Sequence, residues 1–493
     1  MALAAGLGVL QLGAESLWLD ESSSVAIASR APADLWTHLT RVELNGSAYY
    51  LLLSGWMALF GQTEVAIRSL SVVFAVATVP VIYATGRLLF DRWVAVAATL
   101  VLVTSAFVVS YEQEARAYAM ALFLTSLSTF LFIRGLQRST WPTWLLYVAV
   151  AAVSVYAHFF AGFVIVAHAL SLLVVDRAAV RWRPVFISYA LLALLVLPAL
   201  RFALFVENAA CRTQWVPSID ADRVGVVFWE LVGANEWLLA AIGLSALVAL
   251  LAVWLRRRDR SSRWPVVFAL LLVGVPVVLS LAISVYRPLL ATRYLIVALP
   301  GLAYLAAFGL ASLRPRLLGA IGLAVIIGLS SWSLVSYYQE PRKADFRSVA
   351  EVVASVTDAG DAAIVYQRYG DPSHLLVYYL DHLGVPGSNP TVVDLPDAAD
   401  YVSEAADTDC PTTPNDAYRA AVDKVVDDVQ QQHDRVVLVI RRASDDPFLP
   451  ILTDALDSRY DQVERILWAG TRWYPGTELR VYDAPDATAG AAR

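Results

Sequence analysis

From its first residues to Tyr338 the chain is a succession of apolar runs near bilayer-crossing length, which restricts it to a bundle of membrane-spanning helices. Inside hydrocarbon every backbone N–H and C=O must be satisfied within the protein, and a helix of about 20 apolar residues does this alone. The predicted spans lie near 1–16, 64–88, 93–110, 117–134, 143–157, 160–175, 185–205, 237–255, 265–284, 294–311 and 317–335, about eleven in all. Hydrophobic residues make up 58% of the chain and charged ones 16%, too little charge to solvate this length as soluble domains. The first run, Ala2 to Leu12, lacks the basic start of a cleavable signal peptide and reads as the opening of the first span.

Arginines orient the bundle. Arg87/Arg92, Arg134/Arg138, Arg177/Arg181/Arg183, Arg256–Arg258 with Arg260/Arg263, and Arg314/Arg316 fall in alternate connectors, which the positive-inside tendency places in the cytoplasm. Residues 141–175 have arginines on both flanks, so two short spans are expected there, turning near His158. The N-terminus is then cytoplasmic. The loop 17–63, the turn 111–116, the loop 206–236, the turn 285–293 and everything after Gln339 face outside.

Charge divides the chain a second time. Residues 1–338 carry 23 Arg and no Lys against 16 acids, whereas 339–493 carry 14 basic and 27 acidic residues. A membrane domain over 1–338 and an acidic extracytoplasmic domain over 339–493 are therefore expected. In the latter, 362–367, 391–395, 435–441 and 479–483 read as strands, separated by helical patterns at 345–358, 372–384, 415–432 and 448–463, an α/β arrangement of three layers. Its acidity excludes nucleic acid as a partner. Aspartates outnumber glutamates 29 to 14 and only two lysines occur, a balance suited to a halophile. His374, His382 and His433 are too dispersed for a metal site, so none is assigned.

Carboxylates inside the membrane part gather on the predicted outer side, where bracketing apolar helices make them costly and mark them as functional candidates. Trp18-Leu19-Asp20-Glu21 follows the first span. A surface helix is expected over 22–40, then Asn45-Gly46-Ser47 as a turn, a second surface helix to Phe60, and Arg68 at the mouth of the next span. The second turn reads Tyr111-Glu112-Gln113-Glu114-Ala115-Arg116-Ala117-Tyr118. Tyr156-Ala157-His158-Phe159-Phe160 and the run Arg293-Tyr294 to Pro300 complete the set.

This order of motifs resembles the GT-C glycosyltransferases, above all the branch of protein O-mannosyltransferases and lipid A aminoarabinose transferases, over roughly residues 10–310. The resemblance implies a GT-C-like fold and transfer of a sugar from a polyprenyl-phosphate (dolichyl-phosphate-type) donor, with inversion, in the cell membrane. The mannosyltransferases carry His-Pro-Pro before the second surface helix, where this chain has Asn45-Gly46-Ser47, so the acceptor stays open among protein, glycan and lipid.

Such a transfer needs a carboxylate to take the acceptor's proton and cations to steady the departing lipid phosphate. Asp20, Glu21 and Glu114 are the catalytic candidates, and Arg116, Arg293 and Arg68 the phosphate candidates. His158, Tyr118 and Tyr294 are candidates for lining the substrate site. Each has a plainer alternative: Asp20 and Glu21 suit a helix start, Glu114 and Arg116 a local ion pair, Arg293 a snorkelling anchor and His158 an interfacial packing role. The chemistry requires no cofactor and leaves room for a divalent metal beside the carboxylates. Competing readings are a transporter or flippase of lipid-linked saccharides and a non-catalytic envelope scaffold. Cys211 and Cys410, both on the predicted outer side, are candidates for a disulfide.

Overall fold

The structure, a computed structural model, describes residues 1–176, 178, 180–205, 216–255, 263–367, 372–383, 389–396, 414–441, 446–470 and 476–485. Cys211 and Cys410 lie outside the described residues. The chain forms two compact units. One comprises Met1–Leu12, Ile27–Glu207 and Val216–Gln339; the other joins Gly13–Ala26 to Glu340–Arg493.

The first unit is helical. It opens with α1 (Ala2–Val9); α2 (Leu19–Ala28) leads out of the Gly13–Ala26 segment into α3 (Pro32–Arg41) and α4 (Ser47–Phe60). Pro32 at the first turn of α3 splits the single surface helix expected over 22–40, because its ring cannot continue a helix from the residues before it. There follow α5 (Glu64–Leu89), α6 (Arg92–Val103), α7 (Ala106–Glu112), α8 (Tyr118–Arg138), α9 (Trp141–Ala157), α10 (Ala161–Ser171) and α11 (Trp182–Phe205). Then come α12 (Ala221–Leu231), α13 (Glu236–Leu255), α14 (Arg263–Ser284), a 3₁₀ helix (Thr292–Ala298), α15 (Leu299–Ser312) and α16 (Arg316–Gln339). Starts follow side-chain capping: Thr63 accepts from Ala66 N–H, Asp91 from Val94 N–H and Asp220 from Arg223 N–H.

Among the described residues seven helices are long and apolar enough to cross a membrane, and eight if α6 and α7, bent by 59° at Thr104-Ser105, count as one broken span. Each of the eleven expected segments contains a helix, but α1 stops at Val9, the segment 93–110 is broken between α6 and α7, and α9 and α10, at 17 and 11 residues, are the two short helices expected around His158. The protein is a multi-pass membrane protein. Its centre and periphery separate by burial: α8 and the Thr292–Ser312 span are mostly enclosed, whereas α11, α13 and α16 present large apolar chains such as Phe186, Leu194, Leu244 and Leu318 outward, as lipid contact requires. Where helices meet, small residues allow close approach. A Cβ on Gly309 of α15 would overlap the Ser245 carbonyl of α13, and one on Gly86 of α5 would lie 2.9 Å from Ala95 Cα of α6.

In the second unit α17 (Phe346–Val356) precedes β1 (Ala362–Tyr366), and α18 (Ser373–Leu383) connects it to β2 (Thr391–Val393). After α19 (Asp416–Gln430) come β3 (Arg435–Arg441), α20 (Leu449–Asp457), β4 (Asp461–Trp468) and β5 (Thr477–Asp483). The sheet order is β2-β1-β3-β5-β4, parallel through β2, β1 and β3 and antiparallel through β5 and β4. Ala362, Ile364 and Tyr366 join Val422, Val426, Leu452 and Leu456 of α19 and α20 on one face. The alternate residues Ala363 and Val365 are equally buried beneath α18, so both faces are covered. Arg435 stands opposite Asp483 across β3 and β5 and grips it with two bonds, Nε–Oδ1 2.6 Å and Nη2–Oδ2 3.0 Å, which fixes that register. The helix expected to 463 stops at Asp457; its last part is β4, an edge strand exposed along most of its length.

Candidate active site

The first unit gathers its polar residues where α4, α7, α8, α9, α12 and the 3₁₀ helix end. Asn45-Gly46-Ser47 forms a turn with Gly46 at φ +85°, a left-handed conformation that glycine adopts without strain. Asn45 Oδ1 accepts from Phe159 N–H at 3.0 Å and Ser47 Oγ donates to the Tyr156 carbonyl at 3.4 Å, so this turn holds the bend between α9 and α10 that carries His158. Ser71 Oγ donates to the Arg116 carbonyl at 3.3 Å and Tyr49 OH lies 3.1 Å from Ser71 Oγ, fixing the 113–117 turn against α5 and α4.

On this frame an aromatic floor runs between two guanidiniums. Arg116 lies 5.9 Å from the Tyr118 ring centroid; Tyr118 is 5.7 Å from His158, His158 5.0 Å from Tyr294, and Arg293 5.8 Å from the Tyr294 ring. Tyr111, 5.0 Å from Tyr118, lies within electrostatic reach of Glu114, Arg293 and Glu230. His158 sits in the bend between helices. Burial, together with Arg116 and Arg293, pushes its imidazole down to about 3, so it is neutral at physiological pH. Its Nδ1 accepts from Phe160 N–H at 3.2 Å, which assigns the proton to Nε2, and Nε2 has no partner among the described residues. A buried N–H donor between two cations suits a phosphate oxygen or a sugar hydroxyl.

The structure thus brings Glu114, Arg116, Tyr118, His158, Arg293 and Tyr294 together. Arg68, almost fully buried in α5, donates from Nη1 to the Leu12 carbonyl at 2.9 Å. Gln113 ties the same stretch down, donating from Nε2 to the Leu7, Gly8 and Leu10 carbonyls while its Oε1 accepts from Tyr337 OH at 2.8 Å.

Asp20 and Glu21 belong to the second unit. They occupy the first turn of α2, and Glu21, fully buried, accepts from Lys343 Nζ at 2.8 Å and from Trp18 N–H at 3.4 Å. Asp20 lies within electrostatic reach of Arg441 at the end of β3, whose Nη1 donates to Gln367 Oε1 at 3.0 Å just past the end of β1.

Sequence reading passed over Glu230. It stands in the last turn of α12, half-buried, and its carboxylate accepts a hydrogen bond from the buried hydroxyl of Thr292, the neighbour of Arg293. One signal was present: an acid in a helix's last turn opposes the helix dipole and needs a partner elsewhere. The neighbouring Leu231 lines a small apolar crevice, with Val101, Leu102, Ile242, Leu299 and Leu302 among its walls.

The fold of this helical bundle and small α/β unit is shared with known proteins. Residues 47–202 match the family described as dolichyl-phosphate-mannose-protein mannosyltransferase. The structure of ArnT from Cupriavidus metallidurans in the apo state superposes with a TM-score of 0.60 at 14% identity, covering 97% of this chain and 96% of that one. The same protein bound to undecaprenyl phosphate gives 0.53 at 13% identity, again covering 97% and 96%. The Archaeoglobus fulgidus oligosaccharyltransferase in the apo form gives 0.55 at 10% identity, covering 99% of this chain and 74% of that one. The chain has the GT-C fold. No curated protein matches its sequence.

Proposed function

We propose that this protein is a membrane glycosyltransferase that moves a sugar from a polyprenyl-phosphate carrier to an acceptor hydroxyl, on the side of the membrane opposite the arginine-rich connectors. The observation that carries this reading is the aromatic floor of Tyr118, His158 and Tyr294, with Arg116 at one end and Arg293 at the other. Two fixed guanidiniums and one N–H donor make a seat for a phosphate whose charge grows as its bond to the sugar breaks. The match of residues 47–202 to a family that uses dolichyl-phosphate mannose, and the fold shared with a protein solved with undecaprenyl phosphate, support this class of carrier.

In the proposed step the acceptor oxygen attacks the anomeric carbon from the face opposite the phosphate. The carbon–oxygen bond to phosphate breaks, its electron pair leaves with the carrier phosphate, and the acceptor proton passes to a carboxylate, for which Asp20 is the candidate from the sequence. Glu114 positions the sugar or acceptor, and Arg116 and Arg293 hold the leaving phosphate.

The test is transfer of label from radiolabelled dolichyl-phosphate mannose or undecaprenyl-phosphate-linked sugar by the purified protein, with host-cell membranes as acceptor. Asp20→Asn should lower kcat by about 10³-fold with donor binding unchanged, because the amide keeps the shape and loses the basicity. Near-normal turnover in that variant would remove Asp20 from the role of base. Absence of transfer from either carrier by the wild-type protein would count against the function itself.

A further inference from the structure

We infer that Lys343 is a positioning residue for catalysis: by clamping Glu21 it fixes the first turn of α2, and with it Asp20. The inference rests on the reading of Asp20 as base. Lys343 is one of two lysines in the whole chain, and its ammonium sits 2.8 Å from a Glu21 carboxylate whose side chain is 0% exposed, with Lys343 itself only 11% exposed. A buried carboxylate keeps its charge only against a partner, and removing one member of such a pair is costly, so this contact holds its geometry tightly. Glu21 passes the constraint on, because its carboxylate also receives the Trp18 N–H at the start of α2, one residue before the turn that displays Asp20.

The clamp is part of a larger seat. Leu17 N–H donates to Tyr379 OH, and Ser16 Oγ donates to Asp345 Oδ1 at 3.0 Å. Arg347 Nη2 donates to the Gly13 carbonyl at 3.2 Å, and Arg342 N–H donates to Glu15 Oε1. Residues beyond Glu340 therefore hold the stretch Gly13–Leu17 just before the Asp-Glu pair, and Glu21 within the pair. The C-terminal unit thereby acquires a role in turnover, apart from any contact it makes with an acceptor.

The experiment compares Lys343→Gln, Lys343→Arg and the pair Glu21→Gln/Lys343→Gln with wild type, using radiolabelled dolichyl-phosphate mannose or undecaprenyl-phosphate-linked sugar, whichever the wild-type protein turns over. Lys424→Gln, at the other lysine and exposed on α19, serves as control. Lys343→Gln should lower kcat about 10- to 100-fold with the donor KM within about twofold, the effect of a base displaced by a fraction of an ångström to about 1 Å. Lys343→Arg should recover most of kcat. The double variant removes the Glu21 charge together with its Lys343 partner, which keeps the test readable should Lys343→Gln alone fold poorly, and its kcat should be equally low. Turnover of Lys343→Gln or the double variant equal to that of Lys424→Gln would overturn the inference, as would a change confined to KM. Asp20→Asn, measured alongside, separates the two failures: if it is inactive while the Lys343 variants turn over normally, the base reading stands and only the clamp falls.

Discussion

Arg116 donates from Nη1 to the hydroxyl of Tyr50 at 3.1 Å, so a side chain on α4 aims the guanidinium that begins the aromatic floor. Arg116→Lys should therefore behave much like Arg116→Gln, because an ammonium cannot span the Tyr50 hydroxyl, the Tyr118 ring and a phosphate at once. Both should lower kcat/KM by about 100-fold, and Tyr50→Phe by about 10-fold, in steady-state transfer assays. Full activity in Arg116→Lys would mean that only its charge matters.

Glu230 and Thr292 should act as a unit. Thr292→Val removes the hydroxyl that donates to the carboxylate, and Glu230→Gln removes its charge beside Tyr111 and Arg293. Each is expected to lower kcat/KM by about 10-fold, and the double variant by little more than either alone. Simple multiplication of the two losses would show that they act separately.

His158 makes a prediction about acid. Its folded value, about 3, lies below its unfolded one, so between those two the unfolded chain binds a proton that the folded one refuses. The stabilising contribution is whole above the ordinary imidazole range and is lost progressively as pH falls toward about 3. Melting temperature in detergent should thus fall from pH 7 to pH 4, and less steeply in His158→Gln. Parallel curves for the two proteins would contradict the burial of a neutral imidazole. Activity between about pH 6 and pH 8 should show no limb that disappears in this variant, since the ring does not titrate there.

Gly309 tests the packing of the bundle. Its Cα faces the Ser245 carbonyl so closely that Gly309→Ala must push α15 from α13, at a cost of about 1–3 kcal/mol. Gly274→Ala and Gly328→Ala meet nothing within 4 Å and should leave thermal stability in detergent unchanged. Equal melting temperatures for all three would refute the close approach.

What the sequence discloses here follows the range over which each interaction acts. Helices of the bundle announce themselves through local hydrophobicity, and Glu114, Arg116 and Tyr118 sit within one turn, so their proximity could be read along the chain. Strand β4 escaped because Asp461–Trp468, exposed at a sheet edge, lacks a buried face to impose alternation, and its apolar residues continue the spacing of α20. Two short spans were expected over 141–175 with a turn near His158, and α9 and α10 are two short helices meeting there; α10 stops at Ser171 where 175 was expected, since hydropathy reports apolar character and not where the backbone turns. Glu230 and Thr292 are remote in sequence, and only folding sets one against the other. Lys343 and Glu21 stand 322 residues apart, a pairing that no local pattern encodes.

The seating of Gly13–Ala26 among residues beyond Glu340 sets a rule for chimeras. A C-terminal region transplanted from a relative would replace the cradle of the Asp-Glu pair. Exchange therefore has to carry Gly13–Ala26 along with the donor region, or graft Lys343, Asp345, Arg347 and Tyr379 back into it.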